Sequence, residues 1–160
     1  MRLHILAVGH GRGTPEGALT EDYAGRARVF GKRLGFSSVV VEEVTQSKLR
    51  EARARIAEEG ERLRLRIPEA AHVVLLDAKG KGMTSEAFAE MLGAMRDAGA
   101  RDLVFIIGGP DGLDMGPNVK PGRSLAFGPQ TWPHLLVRAM LAEQIYRGMT
   151  ILAGHPYHRA

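Results

Sequence analysis

The feature that most constrains this chain is a repeated alternation. Short apolar runs are separated by longer stretches with helical spacing, and the runs end in glycine or in a Gly/Lys turn. Arg2–Val8, Ser37–Val44, His72–Asp77 and Asp102–Ile107 are rich in Val, Ile and Leu, which predicts strands. The intervening segments are long enough for crossover helices. Nearly continuous apolar strands joined in this way imply an α/β fold, a parallel sheet with helices on both faces. Ligands of such sheets sit beyond the carboxyl ends of the strands. Those ends are Gly9, Asp77-Ala78-Lys79-Gly80 and Gly108-Gly109.

Four helices are expected. Thr14-Pro15 reads as a cap followed by proline at the first helical position, opening a helix to about Leu34 that Gly17, Gly25 and Gly31 soften. Ser47–Arg66 is amphipathic, with Leu49, Ala52, Ile56, Leu63 and Ile67 at helical spacing and Pro68 as the stop. Thr84 or Ser85 caps a helix to about Ala98. Pro133 opens the last one, expected to end near Gly148 and leave Met149–Ala160 as a tail. Ala78–Met83 reads as a loop, Gly108–Arg123 as a Gly/Pro-rich loop, and Ser124–Phe127 as a fifth short strand.

A length of 160 residues allows one domain, 1–160, and is enough to bury a core without staples. The chain contains no cysteine, which excludes thiolate metal sites and cysteine nucleophiles. No apolar run approaches the 18 residues of a membrane span. The segment before Gly9 is too short for a signal peptide, so the expected address is the cytoplasm. The net charge of +4 is uneven: residues 26–66 carry eleven Lys/Arg against six acids, while residues 67–160 balance at nine each. Such an excess is either a solvated helix face or a footprint for phosphates.

Several motifs invite chemistry. Gly9-x-Gly11-x-Gly13 after a strand suggests a dinucleotide loop, but position 14 is Thr and the acids Glu42 and Glu43 come too late, so a mobile loop is the better reading. Lys79-Gly80-Lys81 lacks the rest of a phosphate loop. His155-x-x-His158 spans a proline and has no third ligand, so no metal is expected. Gly108-Gly109-Pro110-Asp111-Gly112 exceeds what a tight turn needs and reads as a ligand loop in which an absent side chain leaves room for a ring. Trp132 is either a core residue or the wall of an aromatic pocket. Arg138 and Glu143 are either a solvated pair or part of an interface. The ending His155-Pro156-Tyr157-His158-Arg159 offers a stacking ring, imidazoles and a guanidinium, the groups that hold RNA bases and phosphates.

Taken together these residues resemble the ribosomal RNA large subunit methyltransferase H family. The resemblance rests on Ile5-Leu6-Ala7-Val8-Gly9, Leu76-Asp77-x-x-Gly80-Lys81, Thr84-Ser85-Glu86-x-Phe88-Ala89 and Ile106–Leu113. It continues through Trp132-Pro133-His134-x-x-x-Arg138, Glu143–Arg147 and His155–Arg159, so it spans the whole chain. It implies a SPOUT fold with a C-terminal trefoil knot, a homodimer, and methyl transfer from S-adenosylmethionine to N3 of a pseudouridine. The implied substrate is large-subunit ribosomal RNA in the assembled ribosome.

Carried over by position, the cofactor residues are Leu76, Gly108, Phe127, Gly128, Pro129, Gln130, Thr131 and Trp132, and the tail residues Tyr157, His158 and Arg159 serve catalysis. The base is His158, His134 or solvent, and Arg159 steadies the developing anion. The chain departs from the family at Gly116-Pro117 and Pro121-Gly122, which disfavour a short helix many relatives carry there. It departs also at Gly128-Pro129 and at the final Ala160. The rival readings are a non-catalytic ribosome-binding protein and another enzyme using a nucleotide cofactor.

Overall fold

The computed structural model describes residues 1–117, 119 and 121–159. Five strands, β1 (Arg2–Val8), β2 (Ser38–Val44), β3 (His72–Lys81), β4 (Asp102–Ile107) and β5 (Arg123–Leu125), form one sheet in the order β2-β1-β4-β3-β5. Every pairing is parallel. Four helices accompany them: α1 (Pro15–Gly31), α2 (Ala52–Arg64), α3 (Ser85–Asp97) and α4 (His134–Leu152).

Strand periodicity sorts the core into two layers. Leu3, Ile5, Ala7, Val74, Leu103, Phe105 and Ile107 face α1, α3 and α4. Leu6, Val8, Val73, Val104 and Ile106 face the other side, where Leu63 of α2 and Met115 cover them. The sheet is therefore covered on both faces, as the apolar runs require.

Some boundaries differ from the sequence reading, each for a local reason. The second helix starts at Ala52 rather than Ser47. Ser47 N–H donates to Glu59 Oε1 at 2.8 Å, and the Leu49 carbonyl accepts from Arg55 Nη1 at 3.0 Å. These bonds hold 47–50 outside the helix. The glycines leave α1 unbroken; only Lys32–Leu34 tightens into a single 3-10 turn. The third strand continues through the expected loop to Lys81, because Leu76 and Lys81 both pair with Leu125 across an irregular stretch. The last helix runs past Gly148 to Leu152, and Gly154 stops it in a left-handed conformation while His155 N–H bonds the Thr150 carbonyl. No helix forms among the described residues of 108–122.

One charged cluster lies at the amino end of the sheet, remote from the ligand end. Asp102, 3% exposed, accepts from Arg2 Nη2 at 2.7 Å and lies 2.8 Å from His4 Nε2. The Arg2 hydrogen bond leads in holding its carboxyl below the ordinary value of 3.8. A lowered folded pKa means stability that is present above the unfolded value and lost as pH falls through the folded one. Asp102→Asn is thus expected to unfold at lower urea than the wild type at pH 7, with the gap closing as pH falls below 3.8. Urea midpoints at several pH values check this.

Candidate functional site

A cavity of about 1040 Å³ opens at the carboxyl ends of β3 and β4. Its floor is Leu76, Ile107 and Gly108, and its outer wall is the segment Ala126–His134 that joins β5 to α4. Arg53 and Ile56 of α2 close the far rim. Leu76, Gly108, Phe127, Gly128, Gln130, Thr131 and Trp132, separated by up to 56 positions in sequence, all line this one space; Pro129 lies in the same segment without lining it.

Trp132 is not a core residue. It is 39% exposed, and its indole Nε1–H donates to the Phe127 carbonyl at 3.0 Å. That bond folds the segment on itself and stands the ring as a wall. Between Phe127 and Thr131 no main-chain N–H bonds another group among the described residues. The cavity thus combines apolar side chains with free main-chain polar groups, which suits a nucleoside.

Gly108 is required for a different reason than the sequence suggested. A Cβ there would stand 2.5 Å from the Gly112 carbonyl oxygen and 2.8 Å from Leu113 Cβ. Its bare backbone makes room for the returning loop rather than directly for a ligand. α2 holds that loop from outside. Arg55 forks onto Asp111, with Nε–Oδ2 2.7 Å and Nη2–Oδ1 2.9 Å, and a Cβ on Gly60 would strike the Asp114 carbonyl at 1.9 Å. Asp111 is held below the ordinary carboxylate range by the Arg55 hydrogen bond. Helical spacing pairs Arg55 with Glu51, four residues before it, but the structure pairs Arg55 with Asp111 and Glu59 with Ser47, because helical charge spacing looks the same whether or not a loop packs on it.

At the end of β1 the chain buries a guanidinium. Arg138 is 2% exposed; Nη1 donates to Glu43 Oε1 at 2.7 Å and Nη2 to the Val8 carbonyl. Of the two readings of Arg138 and Glu143, the solvated pair does not form: Glu143 binds Arg147 at 2.7 Å instead, because five residues on a helix do not bring side chains together. Glu43 also accepts Gly11 N–H at 2.8 Å and lies 3.2 Å from His10 Nδ1. The glycine loop at 9–13 is therefore pinned by a carboxylate, not a mobile loop. His134, which lines the cavity, is pushed below 6.5, first by burial and then by the Arg138 charge, with Glu59 opposing. It stays neutral at neutral pH.

The tail is placed elsewhere and is not frayed. Tyr157 packs edge-on to Tyr146 at 4.8 Å, donates to Glu143 Oε1 at 3.1 Å and lies under the Arg147 guanidinium. Burial pushes its phenol up, so it remains protonated. His158 Nε2 sits 2.7 Å from Glu86 Oε1, near enough for an ion pair when protonated but misaligned for a hydrogen bond. His155 meets Phe30 edge-on, and Arg159 is exposed. None of the three tail residues lines the cavity of its own chain. Among the described residues no acid/imidazole group has the makings of a metal site, and no helix is long and apolar enough to cross a membrane.

Comparison with known proteins gives a concordant picture. A family model described as "Predicted SPOUT methyltransferase" matches residues 1–158. The chain is 50% identical to a ribosomal RNA large subunit methyltransferase H of Hyphomonas neptunium over 160 residues, all of both chains. It is 49% identical to that of Rhodopseudomonas palustris, again over the full length of both. The corresponding protein of Bradyrhizobium diazoefficiens is 44% identical over the same span.

Two outcomes test this geometry. Arg138→Lys cannot serve both Glu43 and the Val8 carbonyl, and the loss should cost about 2–3 kcal/mol, below the full range for a buried pair because Glu43 is partly solvated. Urea unfolding measures it. In an NMR pH titration the His134 ring should show its midpoint below 6.5, and the midpoint should rise in Arg138→Met.

Proposed function

The chain belongs to the SPOUT methyltransferase family, with ribosomal RNA large subunit methyltransferases H as full-length relatives, and from that membership we propose that it methylates large-subunit ribosomal RNA using S-adenosylmethionine. The observation that carries this reading is the convergence of Leu76, Gly108, Phe127, Gly128, Gln130, Thr131 and Trp132 on one cavity. The target is N3 of a pseudouridine in the assembled ribosome. A soluble cytoplasmic enzyme fits that substrate.

When bound, S-adenosylmethionine supplies a sulfonium methyl whose S–C bond breaks, the pair staying on sulfur, as the N3–C bond forms. The chain's own work is placement. Leu76, Phe127 and Trp132 would hold the adenine, and the unbonded main-chain N–H groups of 127–131 would read its edge. The N3 proton passes to His134 in the cavity wall, to His158 of the tail or to solvent. Arg159 balances the negative charge that develops on the base ring, and Tyr157 offers it a stacking face.

The tail acts in a homodimer, where one subunit's Tyr157, His158 and Arg159 complete the other's cavity. Leu135, Leu136 and Met140 on α4 and Leu19 on α1 remain partly exposed, an apolar surface for a second copy. The C-terminal third forms the trefoil knot of the family. In support, Ala126 N–H bonds the Lys81 carbonyl at 3.1 Å as the chain leaves β5, and the chain then crosses back to pack α4 on α1 and α3.

Ribosomes lacking the modification, incubated with the protein and methyl-labelled S-adenosylmethionine, should gain label at one pseudouridine of the large-subunit RNA. Cofactor binding without label would leave a ribosome-binding protein, and no cofactor binding would overturn the reading. Gly108→Val should weaken S-adenosylmethionine at least tenfold, about 1.4 kcal/mol, by displacing the 109–113 loop, as calorimetry would show in a protein of native circular dichroism. Deleting residues 156–160 should abolish transfer while cofactor binding and the dimer mass by light scattering stay unchanged.

A further inference from the structure

Beside the cavity lies a surface that the mechanism does not use. Most cations of the basic stretch 26–66 are occupied: Arg26 with Asp22, Arg28 with Glu21, Arg55 with Asp111, Arg62 with Glu58, Arg64 with Glu61 and Arg66 with Glu42. Three neighbours are not. Lys48, Arg50 and Arg53 are all exposed and form no ion pair among the described residues. The only acid between them is Glu51. Lys32 and Arg33, the other cations of this stretch without an ion pair among the described residues, stand at the end of α1 by the amino ends of the strands, so the unpaired cations on the cavity side are the three at the start of α2.

Two further facts give this cluster a role. Arg53 lines the rim of the cavity, across from the segment Ala126–His134. The backbone carrying Lys48 and Arg50 is held rather than loose. Arg55 Nη1 donates to the carbonyls of Leu49 and Arg50, and the same guanidinium grips Asp111 beside the glycine loop. Glu59 holds Ser47 N–H one turn further along. Arg55 and Glu59 thus fix the three cations relative to the cavity mouth, at a known place on the rim.

Resting on the proposed methylation of ribosomal RNA, we infer that Lys48, Arg50 and Arg53 form a phosphate-binding ramp. It takes the backbone of the RNA strand flanking the target nucleotide and delivers that nucleotide to the cavity of the same subunit. Exposed cations with few local acids recognise phosphates without reading sequence. The ramp supplies affinity and register, and the cavity and tail supply selection. A solvated helix face would need no fixed backbone and no position at a cavity rim.

The test uses the full chain with all three residues changed to glutamine, K48Q/R50Q/R53Q. All three are exposed, so the circular dichroism should match the wild type, and K48Q/R50Q, which leaves the cavity rim unchanged, should also keep wild-type S-adenosylmethionine affinity. The KM for large subunits should rise at least tenfold with kcat little changed. The slope of log binding constant against log salt should fall by about 2, since each lost contact removes about 0.7–0.9. Arg53→Lys should retain most binding, because a phosphate accepts either cation. A wild-type KM and salt slope in the triple variant overturns the ramp and leaves the methylation reading intact. Weakened binding to whole subunits with undiminished binding to the naked RNA would also overturn it, by assigning the surface to a ribosomal protein. A wild-type protein that neither binds nor methylates ribosomes overturns both readings together.

Discussion

The buried Arg138 guanidinium is the interaction on which the ligand end of this molecule depends. It links three elements: α4, which carries it; β1, whose last carbonyl it binds; and β2, which supplies Glu43. Removing a guanidinium from water is costly unless its donors are satisfied. Here a carboxylate and a carbonyl take Nη1 and Nη2, while Nε is left without a partner among the described residues. The arrangement makes the first turns of α4 a fixed wall rather than a packed but adjustable one. The segment from Ala126 to Pro133 is thus anchored at β5 on one side and at this ion pair on the other. Glu43 extends the same constraint to the loop after β1 through Gly11.

The opposite wall is built on a different principle, close approach of backbones. Gly60 brings α2 against the Asp114 carbonyl, and Gly108 lets the loop fold back so that the Gly112 carbonyl lies where a side chain would be. Arg55 then locks α2 to that loop through a planar fork on Asp111, a geometry that lysine does not reproduce. Both walls use a guanidinium–carboxylate pair: one ties α4 to β2, and the other ties α2 to the loop beyond β4. In one pair the guanidinium is buried, and in the other both partners are about a quarter exposed, so salt should loosen the α2 wall before it affects the α4 wall.

Much of this was legible in the residues. The strand runs, with their alternation between two buried faces, specify the parallel sheet, because Ile5 and Leu6 must be buried on opposite sides. The caps at Thr14 and Thr84 are realised as side-chain bonds to Gly17 N–H and Ala87 N–H. The cavity residues were legible through family resemblance, and the glycine run at 108–112 hinted at them by composition alone. Long-range side-chain pairing was not legible. Nothing local marks Glu43 as the partner of a residue 95 positions away, or Glu59 as the acceptor that keeps Ser47 out of the helix. The packing of the tail was not legible either, because Tyr157 finds Tyr146 and Glu143 only once α4 has run past Gly148.

The position of that tail also bears on why the site should involve two chains. Successive residues on a helix turn by about 100°, so Tyr146 lies half a turn around α4 from Val137, and Glu143 half a turn from His134. Val137 and His134 line the cavity, and Tyr146 and Glu143 hold Tyr157. α4 therefore stands between the cavity and the tail of its own chain. Bringing Tyr157 to its own cavity would mean breaking its bond to Glu143 and its packing on Tyr146, and carrying it around a helix whose inner face is fully packed. A second copy meets the requirement with the tail left where it is, because the tail already faces outward on the side of α4 away from the cavity. In that arrangement the contacts that look purely structural within one subunit, Glu143 and Arg147 against Tyr157, become positioning contacts for the other. In the proposed dimer the tail would serve the partner's chemistry without holding the two chains together, and no monomeric form would have a complete site.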